Sequence, residues 1–309
     1  MTKAKQNDSG VVLYAFGHKA YLYAAYNIAF SIKRFNPSVN ITLFCENESL
    51  TRSTIWNCQV FDRLIQINPE RIRTNGKFDP GKVKVTMYDS LPYKYNLYLD
   101  CDAVAIKDIQ PLIDELIADG KPYISHTVGY HTIDKGVGVI PSMQWAKAEK
   151  VWKHWDLTEK SVLPAINSSL QFIVKSDKAA EIYACASFFY LSNPLPIKDL
   201  HIKWGGGQPD ELYMNAAFAR LDYDPAPTNQ PKSEVAEGGY IHFAMRRNAT
   251  IEQVQEQFYL QSYYGGRGFT ASFYTEWLDR LLYKWHLETR DSHLYKISEI
   301  VKHKHANKK

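Results

Sequence analysis

The sequence lacks any hydrophobic run long enough to cross a membrane, and it is poor in cysteine. No window approaches the ~18 consecutive apolar residues that a transmembrane helix needs. The 309 residues include four cysteines, at positions 45, 58, 101 and 185, and none forms a Cys-x-x-Cys pair. A zinc ribbon and a disulfide framework are therefore not indicated. Residues 1–10 are polar and carry no signal-peptide hydrophobic segment, so a reduced, cytoplasmic protein is expected.

Most of the chain also carries no net charge. The sequence has 37 basic and 33 acidic residues, a net charge of +4. Residues 302–309 contain four lysines and no acid, so the remainder is balanced. Because binding to nucleic acid needs a positive surface for the phosphates, the balanced body argues against it as the main activity. We expect 302–309 to be a solvated basic tail, with docking to an acceptor or a membrane surface as the alternative.

What the chain has is a strand–helix–strand rhythm typical of a parallel, doubly wound α/β sheet. The apolar run Val11–Phe16 predicts a buried strand, and apolar residues at three- and four-residue spacing predict an amphipathic helix over 19–35. The same reasoning predicts strands over 41–45, 60–67, 95–99, 123–126, 169–174 and 240–244. It predicts helices over 81–91, 110–118, 143–155, 177–190 and 208–221. The expected organisation is a polar segment (1–10), an α/β catalytic domain (11–247), a helical extension (248–301) and the basic tail (302–309).

Two aspartates follow Tyr95–Leu99, where a buried strand is predicted to end. In open α/β sheets, ligands gather at the carboxyl ends of strands. Strand alternation sends Asp100 and Asp102 to one side and Cys101 to the other. Paired carboxylates are ligands for Mg²⁺ or Mn²⁺, which can in turn hold a diphosphate. Residues 222–224 form a second Asp-x-Asp, but they follow a predicted helix and precede a proline, which is typical of a solvated turn.

The segment Leu97–Ile109 resembles the metal-binding stretch of the GT-A glycosyltransferases. It is most similar to the retaining glycosyltransferase family 8, the group of glycogenin and the lipopolysaccharide galactosyltransferases. In that family the strand leads to a helix start like residues 108–112 here. Further segments are similar to motifs of the family in the same order, at residues 15–37, 84, 167–169, 210–215 and 241–244. The resemblance spans residues 11–247 and implies a GT-A fold and a retaining transferase that uses a UDP-sugar with Mn²⁺ or Mg²⁺.

The resemblance also implies a role for individual residues. It assigns the metal to Asp100, Asp102 and His242. It assigns catalysis at the donor sugar to Asp210, Glu211 and Asn167. It assigns nucleotide-sugar binding to Ala15, Phe16, Gly17, Tyr21, Lys84, Asp100, Cys101, Ser168 and Arg247.

Two of these assignments have ordinary structural alternatives. Pro209 followed by two acids is a plain helix start, because the macrodipole favours carboxylates in the first turn. The family carries glutamine at the position of Glu211, and a carboxylate there could be a nucleophile or could stabilise an oxocarbenium-like centre, whereas front-side attack needs neither. A histidine at a strand end, like His242, can equally be a hydrogen-bonded core residue.

The chain departs from the family after His242. The family pattern is His-x-x-Gly-x-x-Lys, but Met245 takes the glycine position and Asn248 the lysine position. Either Arg247 takes over the phosphate contact, for which a guanidinium is well shaped, or this loop differs and the arginine is exposed.

Other functions compete with this one. A sugar-1-phosphate nucleotidyltransferase shares the sheet and the carboxylates, but residues 15–19 do not resemble its glycine-rich, arginine-containing loop. A glycosyltransferase acting on a modified nucleic-acid base is a second alternative, since Arg246, Arg247 and the tail are basic. The non-enzymatic alternative is a protein that binds nucleic acid or a membrane surface through its C-terminal region. The acceptor of the main hypothesis is a glycan, protein, lipid or nucleic acid.

Overall fold

The chain divides into two compact units. The first comprises residues 1–67, 99–113 and 236–309, and the second comprises 68–98 and 114–235. The computed structural model describes residues 8–16, 22, 25, 28–29, 31–33, 35–46, 60–101, 103–105, 108–132, 139–140, 143–144, 146, 148–200, 208–228 and 241–243. The predicted helical extension and basic tail lie outside these residues, and the predicted domain organisation stays a prediction. No helix within the described residues is long and apolar enough to cross a membrane.

The elements alternate along the chain as expected for an α/β protein. The strands are β1 (Ser9–Ala15), β2 (Ile41–Cys45), β3 (Arg63–Gln66), β4 (Arg73–Thr74), β5 (Lys77–Phe78), β6 (Tyr95–Leu99), β7 (Ala103–Ala105), β8 (Tyr123–His131), β9 (Val139–Ile140), β10 (Met143–Gln144), β11 (Leu163–Val174) and β12 (Ile241–Phe243). The helices are α1 (Pro80–Val85), α2 (Gln110–Asp119), α3 (Ala148–His154), α4 (Asp177–Leu191) and α5 (Asp210–Arg220).

The first unit is built on parallel strands in the order β3-β2-β1. Val11 pairs with Ile41, and Leu43 pairs with Leu64. Every residue of β1 and β2 is buried, as expected for parallel strands covered on both faces. The described residues between positions 22 and 35 are helical. The apolar positions on which the predicted amphipathic helix rests, Leu22, Ala25, Ala29 and Ile32, are buried, whereas Phe35 in the last turn is exposed.

The second unit combines strands in the order β6-β11-β8 with α1, α4 and α5. β11 runs antiparallel to β8. The core is aromatic: the Tyr123 ring lies 5.0 Å from that of Phe218, and the Tyr190 ring lies 4.7 Å from that of Tyr213, centroid to centroid. α5 packs on both α4 and β11, so the start of α5 is held against the middle of β11.

Several predicted bounds were wrong. The helix predicted over 143–155 begins at Ala148, because Met143–Gln144 instead pair with β9. The helix predicted over 81–91 ends at Val85 and is followed by a separate 3₁₀ turn at Tyr88–Ser90. The strand predicted over 169–174 begins at Leu163, which places Asn167 and Ser168 inside a strand. The polar side chains of residues 167–169 interrupt the apolar pattern that predicts a strand, because they lie where the pairing of β11 with β8 is irregular.

Candidate active site

The first group of predicted site residues follows β6, in the first unit. Asp100 is half-buried and comes directly after the buried end of the strand. Cys101 is buried, and its Sγ donates a hydrogen bond to the carbonyl oxygen of Tyr14 at 2.9 Å. The Cys101 side chain therefore turns towards β1. Any contact of Cys101 with a nucleotide would therefore come from its backbone. Asp102 lies outside the described residues.

The strand that carries His242 lies beside the strand that follows the aspartate pair. β12 pairs antiparallel with β7, and the register sets His242 opposite Val104. The backbone of the third predicted ligand is thus brought near a segment that begins one residue after Asp102. Two carboxylates and an imidazole suit Mn²⁺ better than Mg²⁺, which prefers oxygen ligands. The described side chains contain no cluster of three metal-binding groups, and those of Asp102 and His242 are not among them.

The predicted nucleotide-binding residues are described only in part. Ala15 ends β1, Phe16 follows it, and both are buried. Gly17, Tyr21 and Arg247 lie outside the part of the chain that the structure describes.

Lys84 lies in the last turn of α1, in the second unit, and this short helix is fixed at its start by Asp79. The Asp79 carboxylate caps the helix by accepting from the Lys82 amide at 3.1 Å. It also accepts from the Thr74 hydroxyl at 2.7 Å and from the Tyr190 hydroxyl. Burial, followed by the bond to Asp79, raises the pKa of Tyr190 well above its ordinary value. Asp79 is 5% exposed, and these three donors compensate the burial of its charge.

Gly81 lets α1 approach the chain just before α5. A Cβ at this position would lie 2.3 Å from the carbonyl oxygen of Gln208 and 2.7 Å from the Tyr190 hydroxyl. The first contact is with backbone, which cannot rotate away, so only glycine fits. Sequence reasoning missed both Asp79 and Gly81. The sequence does carry a signal for Asp79, because aspartate followed by proline is typical of an N-cap and the first helical residue.

Four predicted site residues of the second unit meet in one cluster. The Lys84 Nζ donates to the Ser168 Oγ at 3.0 Å and lies 3.7 Å from the Asp210 Oδ2. The Ser168 Oγ donates to the Glu211 Oε1 at 2.8 Å. The cluster joins α1, β11 and the first turn of α5, and it holds two carboxylates, one ammonium and one hydroxyl. The Lys84 side chain is 16% exposed and Ser168 is fully buried, so solvent screens these charges only weakly.

Ser168 stands in a wide irregularity of β11. Asn167 pairs with His126, but the next pair is Gln171 with Ser125, so three residues of β11 oppose none of β8. The Ser125 hydroxyl holds both ends of this bulge, with its Oγ 3.0 Å from the Asn167 carbonyl and 2.8 Å from the Leu170 carbonyl. The Asn167 Oδ1 accepts from the Ser169 amide at 3.0 Å. Ser125 is a further residue that sequence reasoning missed, since its role depends on the pairing of two distant strands.

α5 also contacts β11 one helical turn after Glu211, through Asn215. Asn215 is fully buried, and its Oδ1 accepts from the Ile166 amide at 3.3 Å. Its position four residues after Glu211 puts both side chains on one helix face, as the spacing predicts. Both residues contact β11, which confirms that this face meets the strand.

The acidic start of α5 does more than begin a helix. Pro209 occupies the cap position, and no side chain accepts a capping hydrogen bond there. Asp210 is 8% exposed and sits beside Lys84. Burial, and then the charge of Asp210, raises the pKa of Tyr123 well above its ordinary value. The two carboxylates therefore contact side chains of other elements rather than cap their own helix.

The second Asp-x-Asp is a turn, as predicted. Asp222 and Asp224 are exposed and follow the end of α5. Asp222 has a left-handed backbone with φ of 48°. The Asp224 Oδ1 accepts from the Ala226 amide at 3.0 Å and from the Tyr130 hydroxyl at 2.8 Å. These contacts are those of a turn-forming aspartate.

Comparison with known proteins bears on the fold. No protein-family model and no curated protein matches the sequence. The structure is similar to that of the galactosyltransferase LgtC in complex with donor and acceptor sugar analogues, with a TM-score of 0.51 and 14% identity over 88% of this chain and 96% of that one. It is also similar to the bifunctional glycosyltransferase WbbM, with a TM-score of 0.53 and 13% identity over 95% of this chain and 52% of that one. The chain thus has the mixed α/β, GT-A fold of these glycosyltransferases, with a mostly parallel sheet flanked by helices.

Proposed function

We propose that this chain is a glycosyltransferase that moves a sugar from a nucleotide-diphosphate donor, a UDP-sugar, to an acceptor with retention of the anomeric configuration. The observation that carries the proposal is the cluster of Lys84, Ser168, Asp210 and Glu211, found in a fold shared with LgtC. A fold alone hosts many functions, so the chemistry of the side chains is the stronger support.

The reaction breaks the bond between the anomeric carbon and a diphosphate oxygen and forms a bond from that carbon to an acceptor oxygen, whose hydroxyl proton passes to the leaving diphosphate. The negative charge on the diphosphate grows as it leaves. A fixed ammonium group stabilises such a charge without reorganisation when the reaction occurs. Lys84 is suited to this role because α1 is pinned by Asp79 and the Nζ is already held by Ser168. Ala15, Phe16, Gly17, Tyr21, Cys101 and Arg247 are proposed to bind the nucleotide and its diphosphate.

The positive charge that grows on the sugar is matched by carboxylates. Glu211 and Asp210 are proposed to lie at the donor sugar, where a carboxylate stabilises an oxocarbenium-like centre. Asn167 is proposed to hydrogen-bond the sugar with the amide nitrogen, since its Oδ1 already accepts from Ser169.

A divalent cation is part of the proposal. Asp100, Asp102 and His242 would hold Mn²⁺ or Mg²⁺, and the donor set supports this, because carboxylate oxygens and a neutral imidazole bind Mn²⁺. When bound, the cation supplies Lewis-acid stabilisation of the leaving diphosphate.

The test is release of UDP from a panel of UDP-sugars, measured with Mn²⁺ and with EDTA. The wild type is expected to release UDP only with the metal. Glu211→Ala is expected to lower kcat by about 100-fold, as loss of a group that stabilises the transition state does. Glu181→Ala, an exposed change in α4, is the matched control and should leave kcat unchanged. Absence of release from every donor, or release that EDTA does not affect, would contradict the proposal.

A further inference from the structure

We infer that Ser168 is a positioning residue, which orients the Glu211 carboxylate and links it to the charge of Lys84, rather than a direct contact of the donor sugar. This inference rests on the proposed function, because it concerns how Glu211 is made ready for that reaction. It differs from the expectation drawn from the sequence, in which Ser168 binds the nucleotide sugar.

The first step concerns the hydrogen-bonding capacity of a hydroxyl group. A serine hydroxyl has one hydrogen to donate and two lone pairs to accept with. The Ser168 hydrogen is committed to the Glu211 Oε1 at 2.8 Å, and one lone pair accepts from the Lys84 Nζ at 3.0 Å. Ser168 is also fully buried. Its side chain therefore has no hydrogen left to donate to a sugar oxygen.

The second step concerns how firmly Ser168 is held. The bulge that carries it is closed by the Ser125 hydroxyl, whose Oγ lies within hydrogen-bond distance of both the Asn167 and the Leu170 carbonyls and shares its single hydrogen between them. The Gln171 Nε2 donates to the carbonyl oxygen of Ser168 itself at 3.1 Å. A regular strand would direct successive side chains to alternate faces, whereas this fixed bulge gives Ser168 a direction of its own.

The third step concerns the two partners. Lys84 stands on a helix whose start is fixed by Asp79 and by the close approach of Gly81 to Gln208. Glu211 stands on a helix fixed to β11 through Asn215. Because each of the three elements is anchored by contacts other than these two hydrogen bonds, the chain from Lys84 through Ser168 to Glu211 is preorganised. Donation from an ammonium polarises a hydroxyl, and a polarised hydroxyl is a stronger donor to a carboxylate.

The consequence is that one oxygen of Glu211 is fixed while the other is left for the reaction. Removal of the hydroxyl would leave the carboxylate free to rotate, and the cost should appear in the chemical step rather than in donor binding. Ser168→Ala is therefore expected to lower kcat by about 10-fold, the effect of a hydrogen bond to a charged group, with little change in the KM for the donor.

The experiment is a double-mutant cycle with Ser168→Ala, Glu211→Ala and the double variant, in which kcat and KM for UDP release are measured. If Ser168 acts through Glu211, Ser168→Ala should change kcat less than 2-fold in the Glu211→Ala background, since coupled residues are not additive. A direct sugar contact would instead raise the KM for the donor by the same factor in both backgrounds, and that result would overturn the inference.

Two further variants guard against a defect of folding. Ser168→Cys keeps the shape of the side chain and fills the buried site with a slightly larger atom, but it replaces the hydroxyl by a weak donor, so it should reproduce the loss of kcat while the protein stays folded in thermal unfolding. Ser161→Ala removes an exposed serine hydroxyl that meets Thr158, and it should leave kcat unchanged. Full activity of Ser168→Cys would contradict the inference. If the wild type releases no UDP, both the proposed function and the inference fail. If it does and the variants are additive, only the inference fails.

Discussion

The two Asp-x-Asp segments share their residue pattern and differ in almost everything else. The pair at Asp222 and Asp224 is exposed and follows the end of a helix. The Asp224 carboxylate accepts a hydrogen bond from the Ala226 amide within its own turn. The pair at 100 and 102 follows a buried strand, and the residue between its members is turned towards β1. The two pairs thus differ in the element that precedes them, and it is this element, rather than the motif itself, that favours a ligand site at 100 and 102.

Asp102→Ala is expected to have the largest effect on this comparison. Ligand present at about 100 times its Kd stabilises a folded protein by about 2.7 kcal/mol. With Mn²⁺ and UDP, the wild type should show a stabilisation of this order in thermal unfolding. Asp102→Ala should lose most of it, because the proposed function assigns Asp102 to the metal that would hold the diphosphate.

Asp222→Ala is the matched control for that measurement. It removes one carboxylate of the second pair without touching the hydrogen bonds of Asp224, and its stabilisation by Mn²⁺ and UDP should equal that of the wild type. If both variants lost the stabilisation by Mn²⁺ and UDP equally, the first pair would not be the specific metal site.

Asp224→Ala should have a smaller effect, and on stability alone. It removes hydrogen bonds from the Ala226 amide and the Tyr130 hydroxyl, so the free energy of unfolding should fall by about 1 kcal/mol. Chemical denaturation of the two proteins at pH 8 measures this difference.

The pH dependence of this difference in the free energy of unfolding shows which of the two hydrogen bonds causes it. Burial, and then the bond to Asp224, raises the pKa of Tyr130 above the ordinary value of 10.0, so its contribution is complete below pH 10 and is lost as the pH rises further. The gap between wild type and Asp224→Ala should therefore narrow at pH 11. A gap that does not change with pH would assign the effect to the Ala226 amide alone.

Asp222→Gly should have the smallest effect, and of opposite sign. Asp222 holds φ at 48°, a conformation that costs a residue with a Cβ more than it costs glycine. Because glycine also makes the unfolded chain more flexible, the expected net gain is only about 0.5 kcal/mol. Thermal unfolding measures it, and destabilisation would show that the aspartate side chain supports the turn.

The parts of the fold that could be predicted are those encoded by local apolar runs. Residues 41–45 and 95–99 form strands with the predicted bounds, because a short, mostly apolar run bounded by polar residues favours a buried strand. The bulge of β11 could not be predicted, since it depends on Ser125, about forty residues earlier in the chain, and on pairing between strands.

Four of the predicted site residues meet in the structure, but their arrangement could not be predicted from the sequence. Lys84, Ser168, Asp210 and Glu211 each stood out through the order of motifs, and the structure brings these four together. The hydrogen bonds between them could not be predicted from their spacing in the sequence, because residues 84 and 168 meet only after α1 packs on its neighbours. For the same reason the support of Asp79 by Tyr190 was missed, as the two are 111 positions apart.

UDP release from a UDP-sugar with Mn²⁺, compared between Asp102→Ala and Asp222→Ala, separates the two Asp-x-Asp pairs by their effect on activity. A metal-dependent glycosyltransferase that uses only the first pair predicts loss of at least about 100-fold in Asp102→Ala and wild-type activity in Asp222→Ala. Wild-type release of UDP by Asp102→Ala would contradict the account.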